Sequence, residues 1–567
     1  MNKQEKLKKI AIGVEDFKEI IDKDGYFVDK TLMIKKLIES RAKVTLFTRP
    51  RRFGKTLNQF MIRRFFEDEI TEEGEEVDNG YLFDGLAITE CGEEILSHQQ
   101  QYPVIFLTLK SAKQPTYEMA YACLVDEICK EFERHSYVLQ GEMSQRNREI
   151  FERISLGKGS DDEYATAFAF LSECLFKYHK KKAIILIDEY DVPLENAYFR
   201  GFYDEMIDFI RSLFESALKT NPYLEKSVIT GCLRISKESI FTGLNNLETD
   251  SVLHTRFGDS FGFTQEEVEG LLAYYDLSEQ LEEVKKWYDG YLFNDFEIYN
   301  PWSILKYVND RKDHVTELAL PYWSNTSSNS IVREMVGEAD EMAKADLETL
   351  MAGGTIEKQV HEDITYGDIH QTQDNLWNFL FFTGYLKKVG ERTVGNNLWL
   401  EMKIPNIEIA TIYENSISYW FEQRMKQTDR SPLVRALETG DCEAAEDFIN
   451  RQLADTISYY DYAETFYHGF MAGLLVNIGG YRVKSNRESG NGRPDIVMTE
   501  SKFRGRAMIL ELKISDTIQG MEKKCEEALT QMKEQKYESS LEDDGYQPIL
   551  KYAICFFKKG CMVKKAE

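Results

Sequence analysis

The sequence predicts a multidomain α/β protein in three parts, residues 1–263, 264–427 and 432–567. Three observations carry this reading. Short continuous apolar runs alternate with long amphipathic stretches in the first part, the pattern of buried parallel strands with helices on both faces of a sheet. The apolar spacing then changes to a helical period from Thr264 onward. Near the C-terminus, two strand-type runs flank a polar segment with a single glycine, which reads as a hairpin.

The segment before Val44 mixes charge with the alternating run Tyr26-Phe27-Val28 and is expected to pack a short strand and a helix over 32–37 on the first domain. Val44-Thr45-Leu46-Phe47-Thr48 is apolar and β-branched, and it leads into Arg49-Pro50-Arg51-Arg52-Phe53-Gly54-Lys55-Thr56. That octapeptide is nearly a Walker A phosphate loop: Gly54, Lys55 and Thr56 supply the helix start, the lysine for β/γ-phosphate oxygens and the hydroxyl for Mg²⁺. Arg49 stands where the pattern has its first glycine. A further buried strand is predicted at 103–109, with amphipathic helices at 117–132 and 162–178. The run 183–187 ends in Asp188 and Glu189, as in a Walker B strand, where the first acid holds Mg²⁺ and the second polarises the attacking water. Ser227-Val228-Ile229-Thr230-Gly231 is a third strand, with Thr230 placed to sense a γ-phosphate and Arg234 and Arg256 as further phosphate contacts.

Thr264-Gln265-Glu266-Glu267 offers an N-cap followed by acids in the first helical turn. Apolar periodicity returns over 376–386 and a β-type stretch follows over 398–404, so the middle part is read as a helical lid with a winged-helix-like unit, expected to pack on the nucleotide domain, with DNA binding as the alternative. Its aromatics, Trp287-Tyr288, Trp302, Tyr322-Trp323 and those of 379–385, are read as core rather than as a base-stacking platform. A polar stretch from Gln427 to Ser431-Pro432 marks the last boundary.

In the third part, Arg493-Pro494-Asp495-Ile496-Val497 precedes Ile509-Leu510-Glu511-Leu512-Lys513. A hairpin centred near Phe503 sets Asp495 opposite Glu511, and strand alternation puts Glu511 and Lys513 on one face. Two carboxylates and an ammonium therefore converge. Paired acids suit Mg²⁺, which lowers the pKa of a bound water, and the lysine can steady the attacking water or the phosphorane. His468 is read as a core or supporting histidine beside this site.

These residues carry two resemblances. Pro494-Asp495 with Glu511-Leu512-Lys513 resembles the PD-(D/E)XK nuclease superfamily, which implies a restriction-endonuclease-like α/β domain and adds Glu464 and Gln531 as accessory positions. Tyr26 to Thr31, Thr48 to Thr56, Ile187 to Asp191 and Thr230 to Lys237 resemble the bacterial AAA-ATPase-like family, as do Tyr299 to Ser303 and Ile404 to Asn406. That resemblance covers essentially the whole chain. It implies a P-loop NTPase sheet, ATP and Mg²⁺ as cofactors, and an ATPase joined to the C-terminal nuclease-like domain.

Composition bounds the partners. An apolar fraction of 43% and 11 prolines exclude a disordered chain. No run of ~18 apolar residues occurs, so no membrane partner is expected. Nine scattered cysteines without a CxxC pair fit free thiols in a reducing cytoplasm, and no histidine lies at zinc-ligand spacing. The 70 basic and 97 acidic residues give a net charge of −27, which opposes nonspecific attraction to DNA or RNA. Arg504, Arg506, Lys523, Lys524, Lys558, Lys559, Lys564 and Lys565 nevertheless lie around the metal motif. The expected function is an ATP-binding and ATP-hydrolysing protein whose nucleotide state gates a nucleic-acid phosphodiesterase, with oligomers possible. A nucleotide-driven switch that binds nucleic acid or a protein without cleaving is the alternative, followed by an ATPase with a vestigial tail.

Overall fold

The computed structural model describes residues 7–234, 240–241, 246–314, 318–323, 330–362, 373–454, 464–476, 478–485, 494–502 and 504–566. The chain divides into two compact units, Met1–Ser327 with Glu357–Thr411, and Ser328–Ile356 with Ile412–Glu567.

The first unit is built on five parallel strands, β1 (Val44–Thr48), β2 (Val104–Thr108), β3 (Ala183–Asp188), β4 (Leu224–Gly231) and β5 (Leu247–Asp250), in the order β2-β3-β4-β1-β5. Every residue of β1 and β3 is buried, so both faces of the sheet are covered, and that is why these strands read as unbroken apolar runs. Each Ile, Leu or Val so placed contributes about 1.5–3 kcal/mol. The connections are helical, chiefly α1 (Lys55–Phe66), α2 (Tyr117–Arg134), α3 (Ala167–His179) and α4 (Tyr203–Phe214). α2 starts where Thr116 accepts a hydrogen bond from the Met119 backbone N–H. The expected strand at Tyr26-Phe27-Val28 does not form. Only an isolated bridge, Lys9 with Gly25, lies there, because the aromatic rings pack sideways on Phe17, Tyr274 and Tyr275 rather than joining a sheet.

The same unit continues into a small antiparallel sheet of β6 (Phe263–Thr264), β7 (Tyr291–Phe293) and β8 (Phe296–Tyr299), ordered β6-β8-β7. Around it lie α5 (Gln265–Tyr274), α6 (Leu281–Tyr288) and α7 (Pro301–Lys312). Thr264 caps α5 in a full capping box with Glu267, as its sequence requires. A second three-stranded sheet comprises β9 (Ile356–Val360), β10 (Lys387–Val394) and β11 (Asn397–Lys403), with α8 (Gln373–Phe382) preceding its hairpin. Tyr288, Trp323 and Phe379 are buried, so these aromatics are core. α9 (Ile407–Gln427) holds the division between the two units.

The second unit centres on a mixed sheet, β12 (Tyr481–Ser485), β13 (Ile496–Glu500), β14 (Ala507–Ile514), β15 (Ile549–Phe557) and β16 (Gly560–Lys565), in sequence order, with only β14 and β15 parallel. Period-two alternation along β14 separates two cores. Met508, Leu510 and Leu512 face α10 (Ser431–Thr439), α11 (Cys442–Ala454) and α12 (Glu464–Leu475) through Leu437, Ile449 and Met471. Ala507 and Ile509 face α13 (Met521–Glu534) through Cys525, Ala528 and Met532.

Candidate functional sites

Between β1 and α1 the chain turns through residues 49–54. Gly54, at φ +82°, precedes the helix in left-handed backbone that a side chain resists, and no side chain caps the first turn of α1. Its leading N–H groups are thus left for an anion. Lys55 Nζ donates to the carbonyls of Arg49 (3.2 Å) and Pro50 (3.1 Å) and sits 3.9 Å from Glu189 and 3.6 Å from Cys232 Sγ. Burial pulls its pKa down, but the surrounding Cys232, Glu189, Asp191 and Asp188 outweigh burial and leave it raised. Thr56 Oγ1 donates to Asp188 Oδ2 at 2.8 Å, and Thr230 Oγ1 donates to Asp188 Oδ1 at 2.6 Å. Burial first, and Glu189 second, push the Asp188 carboxyl up to about 6. The buried Asp188 carboxylate and the half-buried Thr56 hydroxyl are both oxygen donors that fit Mg²⁺, with Thr56 and Asp188 as the residues to hold it. Glu189 (φ +55°) and Arg52 (φ +73°) are held in left-handed backbone, a strain of roughly 1–3 kcal/mol that clusters at functional sites.

The remaining loop side chains divide. Arg49 is fully buried, paired with Asp250 and donating to the carbonyls of Thr48 (3.0 Å) and Asp250 (2.8 Å). Its guanidinium is turned into the core and its backbone N–H donates to the Gly231 carbonyl at 3.0 Å, so the expected nucleotide contact from Arg49 is not what the fold provides. Burial lowers its pKa and Asp250 opposes that. Phe53 is likewise buried, edge-on to Tyr291 (4.9 Å) and beside Phe293 (5.2 Å) of β7. Arg52 lies over the Trp302 ring at 4.7 Å, and Arg51 pairs with Glu195. Pro50 is so close to Gly384 that a Cβ there would sit 3.0 Å from it. Arg234 faces Glu362 at 3.7 Å and Arg256 faces Glu248 at 3.5 Å, so both expected phosphate contacts rest on carboxylates.

In the second unit, the register Ile496↔Leu510 and Val497↔Ile509 continues to place Asp495 across from Glu511, on the face toward α13. Both acids are buried. Asp495 Oδ2 accepts the Leu512 N–H at 2.7 Å, while Glu511 Oε1 accepts from Lys513 Nζ (3.2 Å) and Gln531 Nε2 (2.8 Å). Burial, then the charge of Asp495, pushes the Glu511 carboxyl up to about 7. Glu511 Oε2 is buried with no hydrogen-bond partner, a cost that a cation would remove. The set fits a divalent metal held by Asp495 and Glu511. Tyr537 OH accepts a second bond from Gln531 at 3.0 Å and holds that amide in place. His468 Nε2 reaches the Asp495 carbonyl and Ser485 Oγ, each at 3.3 Å. Glu464 begins α12, but its side chain lies outside the described residues, as do Arg493 and Phe503 and the 235–237 portion of the motif after Thr230. The basic residues near the motif are partly neutralised: Arg506 faces Glu438, Lys524 Glu527, Lys559 Glu348 and Lys564 Glu522.

Asp191, Cys232, Gln59, Asp250 and Tyr537 received no role from the sequence. Gln59 Nε2 bridges the carbonyls of Ile187 and Val228, 3.2 Å each, and so ties α1 to β3 and β4. The spacing of Asp191 two residues after Glu189 was the available signal for that position. For Asp250 there was none, since its partner is Arg49.

Residues 11–241 match the family described as predicted AAA-ATPase, AAA-ATPase-like, and residues 462–566 match the PD-(D/E)XK nuclease superfamily. The chain therefore joins an AAA-ATPase-like domain to a C-terminal domain of the PD-(D/E)XK nuclease superfamily. A protein of Azotobacter chroococcum mcd 1, described as an uncharacterized protein in the vnfD 5′ region, is 24% identical over 552 residues, covering 94% of this chain and 93% of its own. Among the described residues, no helix is long and apolar enough to cross a membrane.

Proposed function

We propose that the protein binds and hydrolyses ATP at Lys55, Thr56, Asp188 and Glu189, and that its nucleotide state gates a Mg²⁺-dependent cleavage of nucleic acid at Asp495, Glu511 and Lys513. The observation that carries the nuclease half is the convergence of Asp495 and Glu511 on one sheet face with a buried, unpartnered Glu511 Oε2. When bound, the metal supplies an activated water and a counter-charge for the phosphodiester. Asp495 and Glu511 hold it, Lys513 places a positive charge beside the scissile phosphate, and Gln531 fixes the Glu511 carboxylate.

In the ATPase half, Lys55 releases the Arg49 and Pro50 carbonyls to meet the phosphates, and Glu189 orients the attacking water. The loop offers a first step for that gating within its own unit, since Pro50, Arg52 and Phe53 pack against Gly384, Trp302, Tyr291 and Phe293 of the middle region. A loop reshaped by phosphate must move those contacts. The test incubates purified protein with Mg²⁺ or Mn²⁺ and supercoiled plasmid, single-stranded DNA or RNA, with and without ATP. The proposal expects metal-dependent cleavage of at least one substrate that changes with ATP; intact substrates under every condition favour the non-cleaving switch.

A further inference from the structure

Beside the phosphate loop lies a group of side chains to which the proposed reaction gives no common role. Asp191 Oδ2 accepts the backbone N–H groups of Cys232 (2.7 Å) and Leu233 (3.1 Å), while its Oδ1 is buried without a hydrogen-bond partner. Ligand atoms of Glu189, Asp191 and Cys232 all lie within 4.8 Å of one another. Local sequence brings them together: Asp191 follows Glu189 by two residues past the end of β3, and Cys232 follows the end of β4. Gly231 allows this approach, since a Cβ there would fall 2.5 Å from the Tyr190 ring and 2.9 Å from Asp191 Oδ1. The cation now against the group is the Lys55 ammonium, 3.6 Å from Cys232 Sγ and 3.9 Å from Glu189.

We propose that Glu189, Asp191 and Cys232 bind a thiophilic divalent cation of the zinc class in place of the Lys55 ammonium. One thiolate with two carboxylates is a donor set that prefers zinc-like ions to Mg²⁺, and a tetrahedral ion completes its shell with water. The Lys55 ammonium, with the charges of Arg51 and Arg52 acting on Cys232 and Glu189, still leaves Asp191 Oδ1 without a hydrogen-bond partner. Binding breaks the Cys232 S–H bond, forms a sulfur–metal bond and sends the proton to solvent, with no electron transfer. Burial pushes the Cys232 thiol up to about 12, so the metal itself drives that proton loss. Occupancy would remove Glu189 and Lys55 from hydrolysis together. That consequence rests on the ATPase reading, whereas the binding site does not.

The test titrates Cd²⁺, a spectroscopic stand-in for zinc, into the nucleotide-free full chain and follows thiolate-to-metal absorbance in the ultraviolet. Cys232→Ser is expected to lose one thiolate's share of that absorbance, and Asp191→Asn to bind about 10–100-fold more weakly, a loss that even supporting residues produce. Lys55→Met should bind Cd²⁺ more tightly, which a purely structural lysine would not do. Cys232→Ala, checked for native circular dichroism, serves where the serine variant fails to fold. Unchanged absorbance and affinity in both Cys232 variants, or no gain in Lys55→Met, overturns the proposal. A protein that binds Cd²⁺ through Cys232 yet never hydrolyses ATP supports the metal site and sinks the ATPase reading alone.

Discussion

Lys55 is surrounded by four acidic or thiol groups and two carbonyls, so its charge is already positioned where phosphates would arrive. Lys55→Ala should lower ATP turnover by at least ~10²-fold, as loss of a preorganised charge does. Glu189→Gln should retain ATP in an equilibrium binding measurement while hydrolysing it poorly, because it keeps the shape and loses the base. Glu408 makes a separate prediction. It is fully buried and accepts from Ser303 Oγ (3.0 and 2.8 Å) and the Trp323 N–H (2.8 Å), yet burial pushes its carboxyl from 4.5 up to about 7. The folded state therefore favours the protonated acid. Its stabilisation is complete below the unfolded pKa and declines as pH rises to about 7, a loss on the order of 3 kcal/mol. Thermal unfolding of Glu408→Gln should show a flatter pH dependence across this window than wild type; equal slopes contradict it. Among single residues, the lysine and the acids were legible because their chemistry is tied to local motif spacing. Arg49 was not, since what decides its direction is Asp250, 201 positions away.

The hairpin of β13 and β14 was readable as an element because a side-chain period of two leaves little freedom: Ile496 and Met498 of β13 join the core that holds Met508 and Leu510 of β14, and a one-residue slip would turn them to the opposite face. Asp495 and Glu511 follow from that register. α13 was readable as a helix, but the bond from Gln531 to Glu511 depends on how α13 crosses the sheet, and Tyr537 beyond its end carried no pattern at all. Similarly, the phosphate loop was visible while its clamp was not. Phe53 looks like any loop aromatic until β7 is folded beneath it. Phe53→Ala should destabilise the first unit by about 3–5 kcal/mol, the usual cost of emptying a buried phenylalanine site, and should weaken ATP binding as well. A variant with unchanged unfolding but weaker ATP binding would instead make Phe53 a direct nucleotide contact.

At the scale of the whole chain, a net charge of −27 opposes nonspecific attraction to nucleic acid. Arg506, Lys524 and Lys564 near the nuclease-like site are already paired with carboxylates, which leaves less local positive charge to attract nucleic acid. The two domains and their order were legible because each carries a compact motif on a strand end. The contacts of the loop at 50–53 with residues 291–302 and 384, all within the first unit, were not legible, because they join segments far apart in sequence. Asp495→Ala should abolish cleavage and leave ATP turnover within a few-fold of wild type, since only one site loses its metal. The most direct test of the account compares nucleic-acid cleavage by wild type, Asp495→Ala and Lys55→Ala in Mg²⁺, with and without ATP. Wild type should cleave in an ATP-dependent way, Asp495→Ala should not cleave, and Lys55→Ala should show altered cleavage without ATP response; equal rates for wild type and Lys55→Ala in both conditions would contradict nucleotide gating.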